Sequence, residues 1–409
     1  MSACDSGALT PVDQAIATLL ECAPAPPPVE QVALAQALGR VLAEDIVAPA
    51  DVPAWDNSAM DGYALRAADL PLAGGWLPLA ARIAAGEAAE DPLPAGHAVR
   101  IFTGAPLPPG ADTVVAQENC EAEGNRVRLP AIRHGEHVRH RGEELIAGVV
   151  VLGAGKRLRP PELGLLASLG CAQVPVYRPL RVGLLSSGDE LREPGEPLAP
   201  GQIYNANRYS VGAILTRLGC SVRDFGIVED TLAATREALR RAAGDCDVLI
   251  SSGGVSVGEE DHIKQAVRDL GSLQLWRLAI QPGKPMAFGE VAGTPWLGLP
   301  GNPAAALVTA LAVARPFLLR AQGLAAVLPP ALELPAGFDW PAPRTRRQYL
   351  RARLEADAVG KLCVVPHPRQ GSAMLTAAAW SDGLAVIEAG RQLVRGEGVT
   401  FLPYELLLQ

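Results

Sequence analysis

The sequence predicts a multidomain α/β protein: a doubly wound, mostly parallel α/β domain accompanied by β-rich modules. Three observations carry that expectation. At 409 residues the chain exceeds what one ordinary core fills, so several domains follow. Between Pro179 and about Gly323, apolar runs of strand length alternate with amphipathic runs of helix length, the pattern of a parallel sheet covered on both faces. On either side, short apolar runs stand between Gly and Pro turns, which reads as β-rich.

The chain opens with helical spacing. Val12, Ala15, Ile16, Leu19 and Leu20 recur on one face, the proline-rich stretch 23–29 interrupts them, and a second amphipathic run over 30–42 also reads as helical. Strands are predicted at 98–102, 113–117 and 126–129, then a short apolar run at 148–152 and a helix over 160–169. The last two are expected to return to the opening helices. This gives a discontinuous N-terminal helical/linker domain (1–50 with 143–178) around a β-rich domain at 51–142. In the α/β domain, 179–325, strands at 181–186, 222–228, 247–251, 273–279, 286–290 and 296–299 interleave with helices at 208–218, 231–243, 261–270 and 303–319. Beyond Pro329-Pro330, strands at 349–354, 362–366, 383–388 and 398–401 form a small β-barrel-like domain, 326–409.

Bulk properties exclude several classes. A hydrophobic content of 49% with 20% charged residues describes a soluble globular chain. A formal charge of −8 argues against a general nucleic-acid or membrane-surface binder, which needs a basic face. The apolar run 304–314 lies between Pro303 and Arg315, short of the ~20 residues that span a bilayer. The N-terminus shows no basic patch ahead of an apolar segment, so the expected location is cytoplasmic. The seven scattered cysteines form no CxxC pair and read as reduced thiols, with Cys220 and Cys246 as packing residues.

In an open parallel sheet, ligands sit beyond the carboxyl ends of the strands. Three consecutive strands deliver acids there: Asp189 and Glu190, then Asp230, then Asp261. Carboxylates facing phosphates repel them unless a hard cation intervenes, and Mg²⁺ held by one or two carboxylates is the usual bridge. Singly, such acids serve equally well as solvated loop residues or helix caps; three on one edge favour a metal. The third loop, Ser251-Ser252-Gly253-Gly254-Val255-Ser256-Val257-Gly258, offers backbone N–H groups and hydroxyls to an anion ahead of a helix. It is neither a Walker loop nor a Rossmann fingerprint. Pro282-Gly283-Lys284-Pro285 sets a lysine on a rigid turn. In Gly298-Leu299-Pro300-Gly301-Asn302-Pro303, Asn302 fits an N-cap and Pro303 the first helical residue.

Three other features carry a plainer reading. His134, His137 and His140 read as an exposed or phosphate-contacting turn, because nothing nearby promises the second shell of a metal site. Arg344, Arg346 and Arg347 read as a solvated face, with help in holding an anionic pterin as the alternative. Trp55 reads as a local anchor.

Together with Asn57-Ser58-Ala59-Met60-Asp61-Gly62-Tyr63-Ala64, Phe102-Thr103-Gly104-Ala105 and Ser187-Gly188-Asp189-Glu190-Leu191, these segments resemble the molybdopterin molybdotransferase family, which includes the bacterial molybdenum insertase and the E domain of gephyrin. The match spans nearly the whole chain in the right order, and is least specific beyond residue 325. The resemblance implies an elongated, four-domain homodimer whose α/β domain binds the pterin. It implies insertion of molybdenum from molybdate into adenylylated molybdopterin, assisted by Mg²⁺, with release of AMP. By motif it assigns catalysis to Asp61, Thr103, Glu190, Asp230, Asp261 and Lys284, with Glu190, Asp230 and Asp261 on the metal. Substrate contacts fall on Glu144, Ser187, Gly188, Ser251, Ser252, Gly253, Gly254, Ser256, Gly258, Arg277, Gln281, Pro300, Gly301, Asn302 and Pro303. Asp61 and Thr103 would reach the partner subunit's site. A transient complex with the molybdopterin adenylyltransferase and delivery to apo-molybdoenzymes or their chaperones are further implied partners.

The chain departs from the pattern at Arg277 and Gln281, where the bacterial family has lysines. Arginine keeps the charge; glutamine keeps only a donor. Two alternatives stay open: a catalytically weak pterin-binding scaffold and the adenylyltransferase step. The acids favour catalysis over a scaffold, and the modules bearing Asp61 and Thr103 favour insertion over adenylylation.

Overall fold

In the computed structural model, which describes residues 9–87, 90–254, 262–357 and 359–409, the α/β stretch forms one six-stranded sheet. The expected site residues Ser256, Gly258 and Asp261 lie outside the described residues. The strands run in the order Ser221–Val228, Arg181–Ser187, Val248–Ser252, Thr294–Leu299, Pro285–Val291, Gly271–Arg277. The first four are parallel, and Pro285–Val291 is antiparallel to both of its neighbours. Val248–Ser252 is buried at every position, as a strand covered on both faces requires. The first of these strands along the chain, Arg181–Ser187, lies between the second and third, so the winding reverses there and opens a crevice beyond the carboxyl ends. The antiparallel strand begins at that same edge, which brings Lys284 to it.

The closing helix is longer than the apolar run suggested. Helical structure continues from Pro303 to Ala321, with a π turn at Ala310–Ala314. By length and composition it could cross a membrane, yet 89% of its apolar window is buried within the protein. Val308, Leu311, Phe317 and Leu318 pack in one core with Trp276 and Phe288. Arg315 lies inside the helix, as the expected span 303–319 requires. It is only 4% exposed and donates to the backbone carbonyls of Val327, Leu406, Leu407 and Gln409. Burial lowers its pKa to about 10.

The chain divides into two compact units. The α/β sheet shares its unit with residues up to Ala43, with Ala154–Arg159 and with the C-terminal module. That module's sheet runs Ile280–Gln281, Arg347–Ala356, Gly383–Ile387, Gly398–Pro403, Leu332–Pro335, with Leu362–Pro366 also paired to Arg347–Ala356. Ile280 and Gln281 therefore leave the α/β sheet and pair in parallel with Arg347 and Gln348. Arg347 also bridges Asp13 of the helix Val12–Glu21 and Glu388.

The second unit holds Glu44–Gly153 and Pro160–Ala172, including the helix Pro160–Ser168. Its sheet runs Thr113–Ala116, Gly62–Leu65, Ala98–Ile101, Gly75–Ile83, Arg126–Leu129, Glu121–Glu123. Gly75–Ile83, its longest strand, leaves no alternating signature in the sequence and carries Pro78 in its middle.

The amphipathic run 30–42 is not a helix. It forms the strand Val29–Ala33 and one 3₁₀ turn, Leu34–Gln36. The strand pairs antiparallel with Gln173–Tyr177, and that long-range ladder overrides the local periodicity. The six described cysteines are free, and burial raises the thiol pKa of Cys220 to about 12 and of Cys246 to about 11, which suits packing.

Candidate active site

A cavity of about 1070 Å³ opens at the carboxyl edge of the α/β sheet. Each wall follows from a strand end. Arg181–Ser187 delivers Ser187, Gly188 and Glu190; Ser221–Val228 delivers Asp230; Val248–Ser252 delivers Ser252, Gly253 and Gly254. Thr294–Leu299 delivers Pro300, Gly301, Asn302 and Pro303, and the turn before Pro285–Val291 delivers Gln281 and Lys284. The turn depends on Gly283: its φ is +106°, and a Cβ there would collide with Thr309 Oγ1.

Asp230 is half-buried, and its Oδ1 accepts from Ser187 Oγ at 3.4 Å. Ser251 lies buried, off the lining, and among the described residues its hydroxyl has no hydrogen-bond partner. Arg277 is exposed on the edge strand and is also absent from the lining, so the two departures separate: Gln281 is at the cavity and Arg277 is not. Asn302 occupies the N-cap position without a side-chain cap bond. The helix start is served instead by Ser372 of the C-terminal module, whose carbonyl accepts from Ala305 N–H at 3.0 Å.

Several cavity residues were not read from the sequence. Asn207 donates through Nδ2 to Ser252 Oγ at 2.6 Å and to the Gly301 carbonyl at 2.7 Å, tying the third loop to the fourth. Its only local signal is Asn205-Ala206-Asn207 at a helix start. Gln370, Gly371 and Ser372 come from the C-terminal module, as does Arg346, which the sequence offered as a solvated face or a holder of an anionic pterin and which lies at the cavity. Among the described residues, no group of three or more His, Cys, Asp or Glu side chains is arranged to hold a metal ion.

In the second unit, Asp61 immediately precedes the strand Gly62–Leu65 and Thr103 follows its neighbour Ala98–Ile101. Asp61 Oδ1 accepts from the Thr103 backbone N–H at 2.8 Å and from its hydroxyl at 2.7 Å. The Thr103 N–H, then its hydroxyl, and the nearby Arg100 charge hold the exposed Asp61 carboxyl below its usual range. Glu144 is exposed, and its backbone N–H donates to Val52 O. His134 and His140 are exposed beside Asp112 and Asp56, in keeping with a surface turn. Trp55 is exposed.

Three family descriptions match the chain in order: the MoeA N-terminal region (domain I and II) over residues 10–170, a probable molybdopterin binding domain over 183–320, and the MoeA C-terminal region (domain IV) over 333–404. The chain belongs to the MoeA family. A relative from Haemophilus influenzae, named molybdopterin molybdenumtransferase, is 40% identical and covers 97% of this chain and 99% of its own. Molybdopterin molybdenumtransferase 2 of Mycobacterium tuberculosis is 41% identical over 80% of this chain and 84% of its own. The crystal structure of a MoeA protein from Pyrococcus horikoshii OT3 matches with a TM-score of 0.83 and 27% identity, covering 97% of this chain and 100% of that one. Like these MoeA relatives, the protein is a transferase of molybdenum cofactor biosynthesis, and the middle match coincides with the sheet whose edge carries the cavity.

Proposed function

We propose that this MoeA-family protein inserts molybdenum from molybdate into adenylylated molybdopterin, releasing AMP and leaving molybdenum cofactor. The observation that carries the reading is the company kept in one cavity: the carboxylates Glu190 and Asp230, the ammonium of Lys284, and glycine-flanked strand ends. Its volume of about 1070 Å³ suits a large ligand, since pockets for small molecules hold roughly 300–1,000 Å³.

The donor set fits Mg²⁺, which takes one or two carboxylates and completes its shell with phosphate oxygens and water. Glu190 and Asp230 would hold it, with Asp261 as the third acid of the motif. Bound there, the ion would neutralise phosphate charge and weaken the bond to AMP. Lys284, fixed on its turn, holds oxyanion charge, and donors that need no reorganisation are the effective ones. Asn207 keeps the third and fourth loops in register. In this reading the protein is cytoplasmic and dimeric, and Asp61 and Thr103 complete the partner subunit's site. The adenylyltransferase supplies the substrate, and apo-molybdoenzymes or their chaperones take the product.

The test is AMP release from adenylylated molybdopterin with Mg²⁺, with and without molybdate. Molybdate-dependent release, abolished in a folded Asp261→Ala variant, supports the reading. Binding of the adduct without release would make the protein a scaffold. Turnover of unadenylylated pterin with ATP would make it an adenylyltransferase.

A further inference from the structure

We propose that Arg82 and Arg100, side by side on the sheet of the β-rich unit, form a phosphoryl-binding site next to Asp61 and Thr103. The ligand class is a phosphate ester or anhydride. In the reading above, Asp61 and Thr103 complete the partner subunit's site, so that phosphoryl belongs to the substrate held there. Only this last step rests on that reading.

The strand register sets the pair. Arg82 of Gly75–Ile83 faces Arg100 of Ala98–Ile101, and Arg100 in turn faces Tyr63 of Gly62–Leu65. Residues directly across a ladder point to the same side, so the three share one face. Tyr63 belongs to the buried core on that face, and the row continues from it as two positive charges. Like charges opposite each other across a ladder repel. In the same unit Arg66, Arg126, Arg128 and Arg141 each have an acidic partner. Neither Arg82 nor Arg100 makes an ion pair among the described residues. A repulsive pair that the fold leaves uncompensated suits an anion that arrives from outside.

What the fold supplies is an aromatic seat. Both guanidiniums lie over the Phe102 ring, Arg82 at 4.5 Å and Arg100 at 4.7 Å from its centroid, and Arg100 lies 5.0 Å from that of Tyr63. A ring face attracts a cation but carries no net charge and offers no oxygen acceptor. Arg100 is fixed further by donating to the Gly62 carbonyl at 3.0 Å and to Gln117 Oε1. Both acceptors are neutral, so its charge stays uncancelled and about three of its five N–H donors stay unspent. Arg82 is exposed, where a ligand reaches it. Phe102 immediately precedes Thr103, so the pair stands at the root of the loop that carries the Thr103 hydroxyl. Asp61 spends Oδ1 on the Thr103 N–H and hydroxyl, and pairs with neither arginine. Two guanidiniums gathered on one ring outweigh that single carboxylate, and their forks match the oxygens of a phosphoryl group.

The experiment titrates the full-length protein at low salt with adenylylated molybdopterin, and with inorganic pyrophosphate in a Lys284→Ala background that silences the cavity's own lysine. Each titration compares Arg82 with Arg82→Gln and Arg82→Lys. Arg82→Gln is expected to weaken at least one ligand roughly 10-fold, the loss that follows removal of a charge-assisted hydrogen bond. Arg82→Lys keeps the charge and should lose less. Removing one charge exchanges a ring contact for relief of repulsion, so the melting temperature should move by less than ~3 °C. A loss for the adduct, with or without pyrophosphate, supports the proposal and its place in catalysis. A loss for pyrophosphate alone supports the site and sinks the reading that Asp61 and Thr103 complete a partner's site. Unchanged affinity for both ligands overturns the proposal. So does a loss shared equally by Arg82→Lys, or one accompanied by a larger fall in melting temperature, since either marks Arg82 as structural. If affinity falls as expected while the wild type releases no AMP, the insertase reading fails and the phosphoryl site stands.

Discussion

The two walls of the cavity are built on different length scales. On the α/β side, Glu190 and Asp230 each fall within three positions of a strand end, so short loops aim them. On the C-terminal side, Arg346 meets Gln281 across 65 positions of sequence, through a parallel pairing only two residues long. The acidic wall is a local property of parallel-strand ends, and the basic wall is a tertiary one. The two charges can therefore be perturbed separately, by changing a loop or by changing a docking.

The strongest perturbation belongs to the acidic wall. At Gly188 φ is +144°, and a Cβ there would collide with the Glu190 carboxylate. Gly188→Ala should push that carboxylate aside and lower AMP release about 100-fold, the order of loss that a ~1 Å misplacement produces. Molybdate affinity, which in the proposed function rests on Lys284 rather than on Glu190, should hold. Equal losses in kcat and in molybdate binding would show that the walls are not independent.

A smaller effect is expected at the opposite end of the same sheet. Asp247 precedes the strand Val248–Ser252; it accepts from Arg178 at 3.0 Å and from the Arg181 backbone N–H at 2.7 Å. Burial pushes its carboxyl up, but Arg178 and Arg181 outweigh that and leave the pKa lowered. Such a group stabilises the fold above its unfolded pKa of ~3.9 and loses that contribution as pH falls through the lower folded value. Asp247→Ala should cost about 2 kcal/mol at pH 7, because it strands two partly buried guanidiniums. Urea melts at pH 7 and pH 3 check this: the gap should shrink at pH 3, while AMP release by the folded variant stays normal.

The same contrast of scales explains what the sequence revealed. Glu190, Asp230, Lys284 and Pro300 lie in loops whose strands have clear signatures, so their common edge follows from topology alone. Ser372 reaches the cavity through a cap on another element's helix, which has no local signature; for Arg346 the basic run of Arg344, Arg346 and Arg347 hinted at an anion contact, but only the two-residue ladder decides which of the three lines the cavity. Asn207 looks like any polar residue in a helix's first turn; its bonds to Ser252 and Gly301 exist only once two loops converge. The run 30–42 misleads for the same reason, since its partner Gln173–Tyr177 lies far along the chain.

The mildest effect separates two asparagines that look alike in sequence. Asn205 and Asn302 both sit at N-cap positions and both line the cavity. Asn205 Oδ1 accepts from Arg208 N–H at 3.2 Å, a working cap. Asn302 makes no such bond, and Ser372 from the C-terminal wall serves the helix start in its place. Asn205→Ala should therefore cost about 1 kcal/mol, the usual value for a lost cap. Asn302→Ala should cost under about 0.5 kcal/mol, the range of a substitution that removes no stabilising contact. Thermal melts of the two variants decide this. If Asn302→Ala costs as much as Asn205→Ala, Asn302 caps its helix after all and its cavity position is incidental. If it melts like the wild type while adduct affinity falls, the C-terminal wall has taken over the cap and left Asn302 to the ligand.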